Sequence, residues 1–222
     1  MYLNHRQKIE VAVVLFLIVM VWEANGIYLA AFAHNHIVLY WLSYLFQWVI
    51  LPTMLIILLA KQALILPQHY GFNSTVFSWQ GFIAETIGMF ISAGLAFKWS
   101  SQLSWHLLGQ RTGYFNVLSA YPNGALHTVV WIYSSIAVGI VESIFFIGLP
   151  WLLYKNTQRH ASVKVFSVLI SVIFATTHWE QGPHVIVGAF FFSIVACYWY
   201  FKLGTLWPVA AGHALIDLVA FA

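Results

Sequence analysis

Four polar side chains interrupt apolar runs in the C-terminal half of the chain: Glu142, His178, His213 and Asp217. A charged group in hydrocarbon costs about 2.5 kcal/mol or more unless it is paired or wetted, so each calls for a partner or a task. Two carboxylates and two imidazoles can together take a proton from water, orient that water and stabilise an oxyanion. Hydrolysis inside a membrane is therefore the first chemistry to weigh. His213 and Asp217 are four apart and share one helix face, so Asp217 can orient His213. Glu142 lies in Val-Glu-Ser-Ile-Phe-Phe-Ile-Gly, where no sequence neighbour can neutralise it. His178 closes the run Val-Ile-Phe-Ala-Thr-Thr-His, and Gly182-Pro183 break the helix just beyond it. His178 and Glu180 are two apart, so a continuous helix would turn them to different faces, and no metal pair at i, i+4 spacing is formed.

The elements that carry these residues are membrane helices. The chain of 222 residues is 62% hydrophobic and 7% charged, whereas a soluble domain carries about 25% charge. Too little charge exists to coat a globule in water. Seven apolar segments stand against the roughly 20 residues needed to span: 10–32, 37–60, 76–97, 126–154, 163–179, 184–201 and 204–222. The expected fold is all-α, a polytopic transmembrane bundle of seven or eight helices with the polar site inside. It reads as one integral-membrane domain, with its motif-bearing core over about 126–222. The fifth to seventh segments are short, so they tilt little or stop part way across. The stretch 98–125 reads as an interfacial loop with an amphipathic helix. Trp41, Tyr44, Trp105, Tyr114, Tyr121, Trp151, Tyr154, Trp199 and Tyr200 near segment ends read as interfacial belts.

The first apolar run lacks a small-residue cleavage site and is expected to stay as a helix. The single Cys197 excludes an intrachain disulfide and reads as packing. A formal charge of +3 with no basic run gives no reason to expect nucleic acid.

Lys and Arg set the orientation. With the N-terminus cytoplasmic, Arg6, Lys8, Lys61, Lys155, Arg159, Lys164 and Lys202 fall inside, and only Lys98 and Arg111 fall outside. The same arrangement fixes depths. At about 1.5 Å per residue, Glu142 lies about 20 Å from Lys155 and His178 about 21 Å from Lys164. His213 and Asp217 lie about 17 and 23 Å from Lys202. Three different segments thus deliver the four residues to one slab of the membrane.

Three stretches resemble the motifs of the CPBP family, the CAAX proteases and bacteriocin-processing enzymes, which are polytopic membrane endopeptidases. The family's Glu-Glu-x-x-x-Arg, usually followed by Gly, is approached by Glu142-Ser143-Ile144-Phe145-Phe146-Ile147-Gly148. Phe-x-x-x-His is matched by Phe174 to His178, and His-x-x-x-Asn/Asp by His213 to Asp217. Gly204-Thr205-Leu206-Trp207-Pro208 also looks like the approach to the third motif, and the resemblance covers about 130–222. Ser143 stands where the family has its second Glu, and Ile147 where it has Arg. Losing both together leaves no orphan charge. A register shifted by one would put Glu142 on the second Glu, with Val141 on the first and Phe146 on the Arg.

The resemblance implies roles. Glu142 takes a proton from water, His178 positions that water or shares the proton, and His213 donates to the oxyanion. Asp217 holds the His213 tautomer, or donates when protonated. The cofactor question is open between none required and Zn²⁺ on Glu142, His178, His213 and Asp217. The implied substrate is a peptide or protein, either a prenylated C-terminal peptide or the leader of a secreted peptide or bacteriocin. The implied location is a bacterial plasma membrane, in contact with lipid; oligomeric state is open.

Other readings compete. A non-catalytic relative acting in bacteriocin self-immunity or as a scaffold fits the altered first motif, and a proton or ion carrier also uses buried carboxylates and histidines. Glu23 and Glu85 read as polar glue between helices. Glu180, Gln181 and His184 read as loop groups at the site mouth. His34, His36, His106, His127 and His160 read as interfacial, and Phe190-Phe191-Phe192 as lipid-facing or core packing.

Overall fold

A computed structural model describes residues 1–73, 78–113 and 124–220. Among the described residues every regular element is helical. They are α1 His5–Glu23, α2 Asn25–Asn35, α3 Ile37–Leu45, α4 Leu51–Gln62, α5 Trp79–Leu107, α6 Ala125–Glu142, α7 Leu149–Thr157, α8 Val163–Thr176, α9 Pro183–Leu203 and α10 Trp207–Ala220. Short π-helical turns, Phe46–Ile50 and Ser143–Gly148, join α3 to α4 and α6 to α7. Among the described residues five helical stretches are long and apolar enough to cross a membrane: His5–Tyr28, Ile37–Gln62, Trp79–Leu107, Leu126–Thr157 and Pro183–Leu203. α8 and α10 have 14 residues each, about 21 Å of helix, and fall short of a full crossing.

The two π turns have a common local cause. Pro52 and Pro150 each fall in the first turn of the helix that follows. Proline has no N–H, and its ring presses on the carbonyl four residues back. Those carbonyls belong to Trp48 and Phe146, inside the π turns. Widening the helix there admits the ring without breaking the span. Residues Ser143 to Gly148 are all buried, so this widened turn lies in the middle of the bundle.

Two segment readings change. α5 does not end near residue 97 but continues to Leu107, with Trp99, Leu103 and Leu107 exposed along it. Lys98, Gln102 and His106 therefore ride on a helix, and the remainder of the expected loop, 114–123, lies outside the described residues. α8 ends at Thr176, so residues 177–182 are not α-helical; Trp179–Gln181 form a single 3-10 turn.

Hydrogen bonds gather one end of the bundle. The Leu3 amide donates to Asn156 Oδ1 at 2.8 Å, and Gln7 Nε2 to the Ala63 carbonyl at 2.6 Å. The Leu206 amide donates to the Gly71 carbonyl at 2.8 Å. His69 sits at this end, and its pKa is lowered by partial burial, then by the amino terminus and Lys155. The basic residues at the ends of α1, α4, α7 and α9 thus share one pole. At the other pole Glu23 accepts from Thr176 Oγ1 at 2.6 Å, tying α1 to α8. Glu85 lies 3.8 Å from Lys202 Nζ, linking α5 to α9. Both acids act between helices, as their positions suggest.

Several belt aromatics prove to be core. Tyr44 and Tyr200 are buried, and Trp151 packs its edge on Phe166 and Phe201. Trp199 donates to Ser92 Oγ at 2.8 Å and carries Lys202 over its ring. Tyr114 and Tyr121 lie outside the described residues.

Candidate active site

Glu142 ends α6, and His213 and Asp217 sit one turn apart on α10. The two helices touch where both backbones are nearly bare. Gly139 is buried against α10 so closely that an added Cβ would lie 2.6 Å from the Ala214 amide nitrogen. Ala214 follows His213 directly, and Gly139 precedes Glu142 by three residues. The small-residue contact therefore sets the gap between the two side chains.

That gap is 3.4 Å from Glu142 Oε2 to His213 Nε2, and Asp217 Oδ2 lies 3.7 Å from the same nitrogen. All three residues are buried. Both distances exceed the 2.7–2.9 Å typical of a charge-assisted hydrogen bond. They place one imidazole nitrogen between two carboxylates. Asp217 faces Nε2 of His213, the nitrogen that Glu142 also faces. Phe192 and Phe174 pack their rings on the imidazole, with centroids at 4.5 and 6.4 Å.

His178 comes from the break between α8 and α9. Its Nδ1 lies 3.0 Å from the Phe174 carbonyl oxygen and 3.3 Å from Thr177 Oγ1. A carbonyl oxygen only accepts, so this contact puts the proton on Nδ1. In the neutral ring Nε2 then keeps a lone pair. The second motif thus has a physical reason for its spacing: Phe174, four residues back, supplies the carbonyl that fixes the tautomer of His178 and a ring 4.8 Å from it.

Glu142, His178, His213 and Asp217 all line one cavity of about 170 Å³. Its other walls come from helices that carry no motif: Trp22, Asn25, Tyr44 and Trp48. Trp22 stacks on Trp48 at 4.8 Å and on Phe146 at 5.2 Å, which ties the N-terminal helices to the widened turn after Glu142. Glu180 also lines the cavity and is 3% exposed. It was expected at the mouth, on another face from His178. Because the chain leaves the α-helix at Thr176, two residues apart no longer means opposite faces. His184 instead meets Trp105 edge-on, with ring centroids 4.8 Å apart, beside a separate surface recess. Ser143 Oγ donates to the Gly139 carbonyl at 2.7 Å, and Ile147 is buried. The two altered motif positions are therefore filled by satisfied or apolar groups.

Among the described residues, no three His, Cys, Asp or Glu side chains stand together as a metal-holding group. The two carboxylates converge on His213 Nε2, and the Nδ1–carbonyl contact of His178 leaves its Nε2 lone pair free, which suits a water-holding or a metal-ligating imidazole alike.

A comparison with known families agrees with the motifs. Residues 124–219 match the family model described as Type II CAAX prenyl endopeptidase Rce1-like. No curated protein and no solved structure matches the chain. The matched stretch holds Glu142, the His178 break and the His213–Asp217 turn, and excludes the N-terminal helices that close the cavity. Over residues 124–219 the chain is thus similar to the Rce1-like family of CAAX-protease-type membrane endopeptidases.

Proposed function

We propose that the chain is an integral-membrane endopeptidase that hydrolyses a peptide bond with water activated by Glu142. The observation that carries the reading is the convergence of Glu142 Oε2 and Asp217 Oδ2 on His213 Nε2, in a buried cavity shared with His178. Glu142 takes the proton of a water molecule held by the lone pair on His178 Nε2. The hydroxide adds to the substrate carbonyl, and His213 Nε2–H donates to the oxyanion that forms. When the tetrahedral species collapses, the proton on Glu142 passes to the departing amine. Asp217 holds the orientation of His213. General-base and oxyanion contributions are each worth about 100-fold or more.

The substrates that suit this reading are prenylated C-terminal peptides and leaders of secreted peptides or bacteriocins. The orientation that suits it has the N-terminus in the cytoplasm of a bacterium, because the basic pole collects Lys61, Lys155 and Lys202. Glu142→Gln and His178→Ala, each purified in detergent and assayed on such peptides, are expected to lose cleavage by 100-fold or more while melting near the parent. Parent-like turnover in either variant overturns the mechanism.

A second reading has one observation in its favour. Ser143 and Ile147 are packed into the buried π turn with no charge left to pair. This suits a relative that keeps the fold for bacteriocin immunity or as a scaffold. Immunity that persists in Glu142→Ala cells supports it over the peptidase.

A further inference from the structure

Among the described residues that line the cavity, buried side-chain acceptors without a partner outnumber such donors: Asn25 Oδ1, Glu180 Oε2 and Asp217 Oδ2 stand against Trp22 Nε1. Glu180 is 3% exposed, and its Oε2 is buried with no hydrogen-bond partner. Its carboxylate otherwise meets its own backbone amide and a long bond, 3.4 Å, from Gln181 Nε2 to Oε1. Across the same cavity Asn25 Oδ1 is also buried without a partner. No Lys or Arg pairs with Glu180 among the described residues, and the undescribed ones contain neither type. Buried acceptors without donors are costly, so the site is built for a group that brings N–H bonds with it. An ammonium carries three donors and a guanidinium five, and neither carries an acceptor.

Two further features suit such a side chain. Trp22, Trp48 and Tyr44 form an aromatic wall of the same cavity, and apolar surface of this kind packs the methylene stem of a Lys or Arg. The turn that holds Glu180 is also clamped. A Cβ on Gly113 would lie 2.1 Å from the Glu180 carbonyl oxygen, so the 111–113 strand of chain lies directly against this turn. A carboxylate on a fixed backbone is preorganised for a ligand.

We propose that Glu180 is a specificity residue: its carboxylate receives the ammonium or guanidinium of a Lys or Arg side chain close to the peptide bond that is cut. The inference rests on the peptidase reading only for the word "cut"; the binding it describes needs no turnover.

The test therefore measures binding. Fluorescent apolar peptides, each with one position varied among Lys, acetyl-lysine, norleucine and Glu, are titrated against the full chain in detergent by anisotropy. The intact protein, Glu142→Ala, Glu180→Gln and Glu180→Lys are compared. At one position Lys is expected to bind about tenfold or more tighter than norleucine, in the intact chain and in Glu142→Ala alike. Acetyl-lysine, which keeps the stem and loses the charge, should lose that advantage without any change to the protein. The Lys preference should fall to about one in Glu180→Gln, and Glu180→Lys should favour Glu. Equal binding of Lys and norleucine at every position overturns the proposal, with water alone filling the cavity. A Lys preference that survives in Glu180→Gln also overturns it. A Lys preference in a protein that cleaves nothing upholds this inference and rejects the peptidase.

Discussion

Gly139→Ala is the smallest change expected to disable the site. The added Cβ would lie 2.6 Å from the Ala214 amide nitrogen, 2.9 Å from its Cα and 3.0 Å from its Cβ, and ordinary contact begins near 3.4 Å. Two of those three atoms are backbone, so no rotamer relieves the clash. α6 and α10 must part by about 0.8 Å, the difference between 2.6 and 3.4 Å. Glu142 and His213 hang from the two sides of this contact and are already 3.4 Å apart. The same displacement would take them beyond 4 Å, where no single proton or water contact links them well. Overpacking of this kind costs about 1–3 kcal/mol, partly offset by about 1 kcal/mol from replacing glycine in a helix. Misplacement near 1 Å costs about 100-fold in rate. The assay pairs tryptophan-fluorescence melting with peptide turnover. Gly94→Ala is the control, because its Cβ would meet only the Ile216 side chain at 3.7 Å; it should keep both stability and rate. If Gly139→Ala turns over like the parent, the helix contact does not set the catalytic gap, and the geometry proposed for Glu142 and His213 is wrong.

Further outcomes follow from the same contacts. Asp217→Asn preserves shape and can still orient His213, so turnover should stay within about tenfold, whereas Asp217→Ala should lose more; equal loss in both points to a needed charge. Ser143→Glu buries a lone carboxylate where Ser143 now satisfies the Gly139 carbonyl, and should destabilise by about 3 kcal/mol or more. Adding Ile147→Arg, four residues on, should recover part of that in a melting assay, and no recovery argues against the register that aligns Glu142 with the family's first Glu. Incubation with 1,10-phenanthroline should leave cleavage unchanged, because proton transfer is assigned to Glu142 and the His178 lone pair. Inhibition reversed by added Zn²⁺ would sink that assignment.

Much of the site was legible because membranes impose strict local rules. Apolar length located the spans, and the count of residues from Lys155 and Lys202 put Glu142 and His213 at one depth before any lateral contact was known. The four-residue spacing of His213–Asp217 was legible as a helix face, whereas Phe174–His178 was legible only as a motif, its carbonyl-to-imidazole contact appearing in the structure. What failed depended on where helices stop. Lys98, Gln102 and His106 looked like a loop because they are polar, yet a helix that extends past the bilayer can carry polar residues at no cost. Thr176-Thr177 gave no clear stop signal, so His178 and Glu180 were placed on opposite faces of a helix that had already ended. The cavity walls from Trp22, Asn25, Tyr44 and Trp48 were not legible at all. Aromatic rings near span ends satisfy an interfacial reading as well as a buried one, and only packing against Phe146 separates the two.

The location of the irregular backbone makes a physical case for a site at this depth. Lipid tolerates no unpaired N–H or C=O, so distorted chain is found only where protein or water covers it. The π turn after Glu142 and the 177–182 break meet this condition, whereas only Gln47 and Trp48 of the other π turn are buried. The turn after Glu142 is buried along its whole length. Its counterpart carries Trp48 onto Trp22, and Trp22 packs back onto Phe146 in the first turn. The third irregularity sets Thr177, His178 and Glu180 around the cavity. Trp48 in one interruption, Glu142 just before the second, and Thr177, His178 and Glu180 in the third thus border one cavity, where two carboxylates face one imidazole. A fold that needed only to pack apolar helices would have no use for any of them.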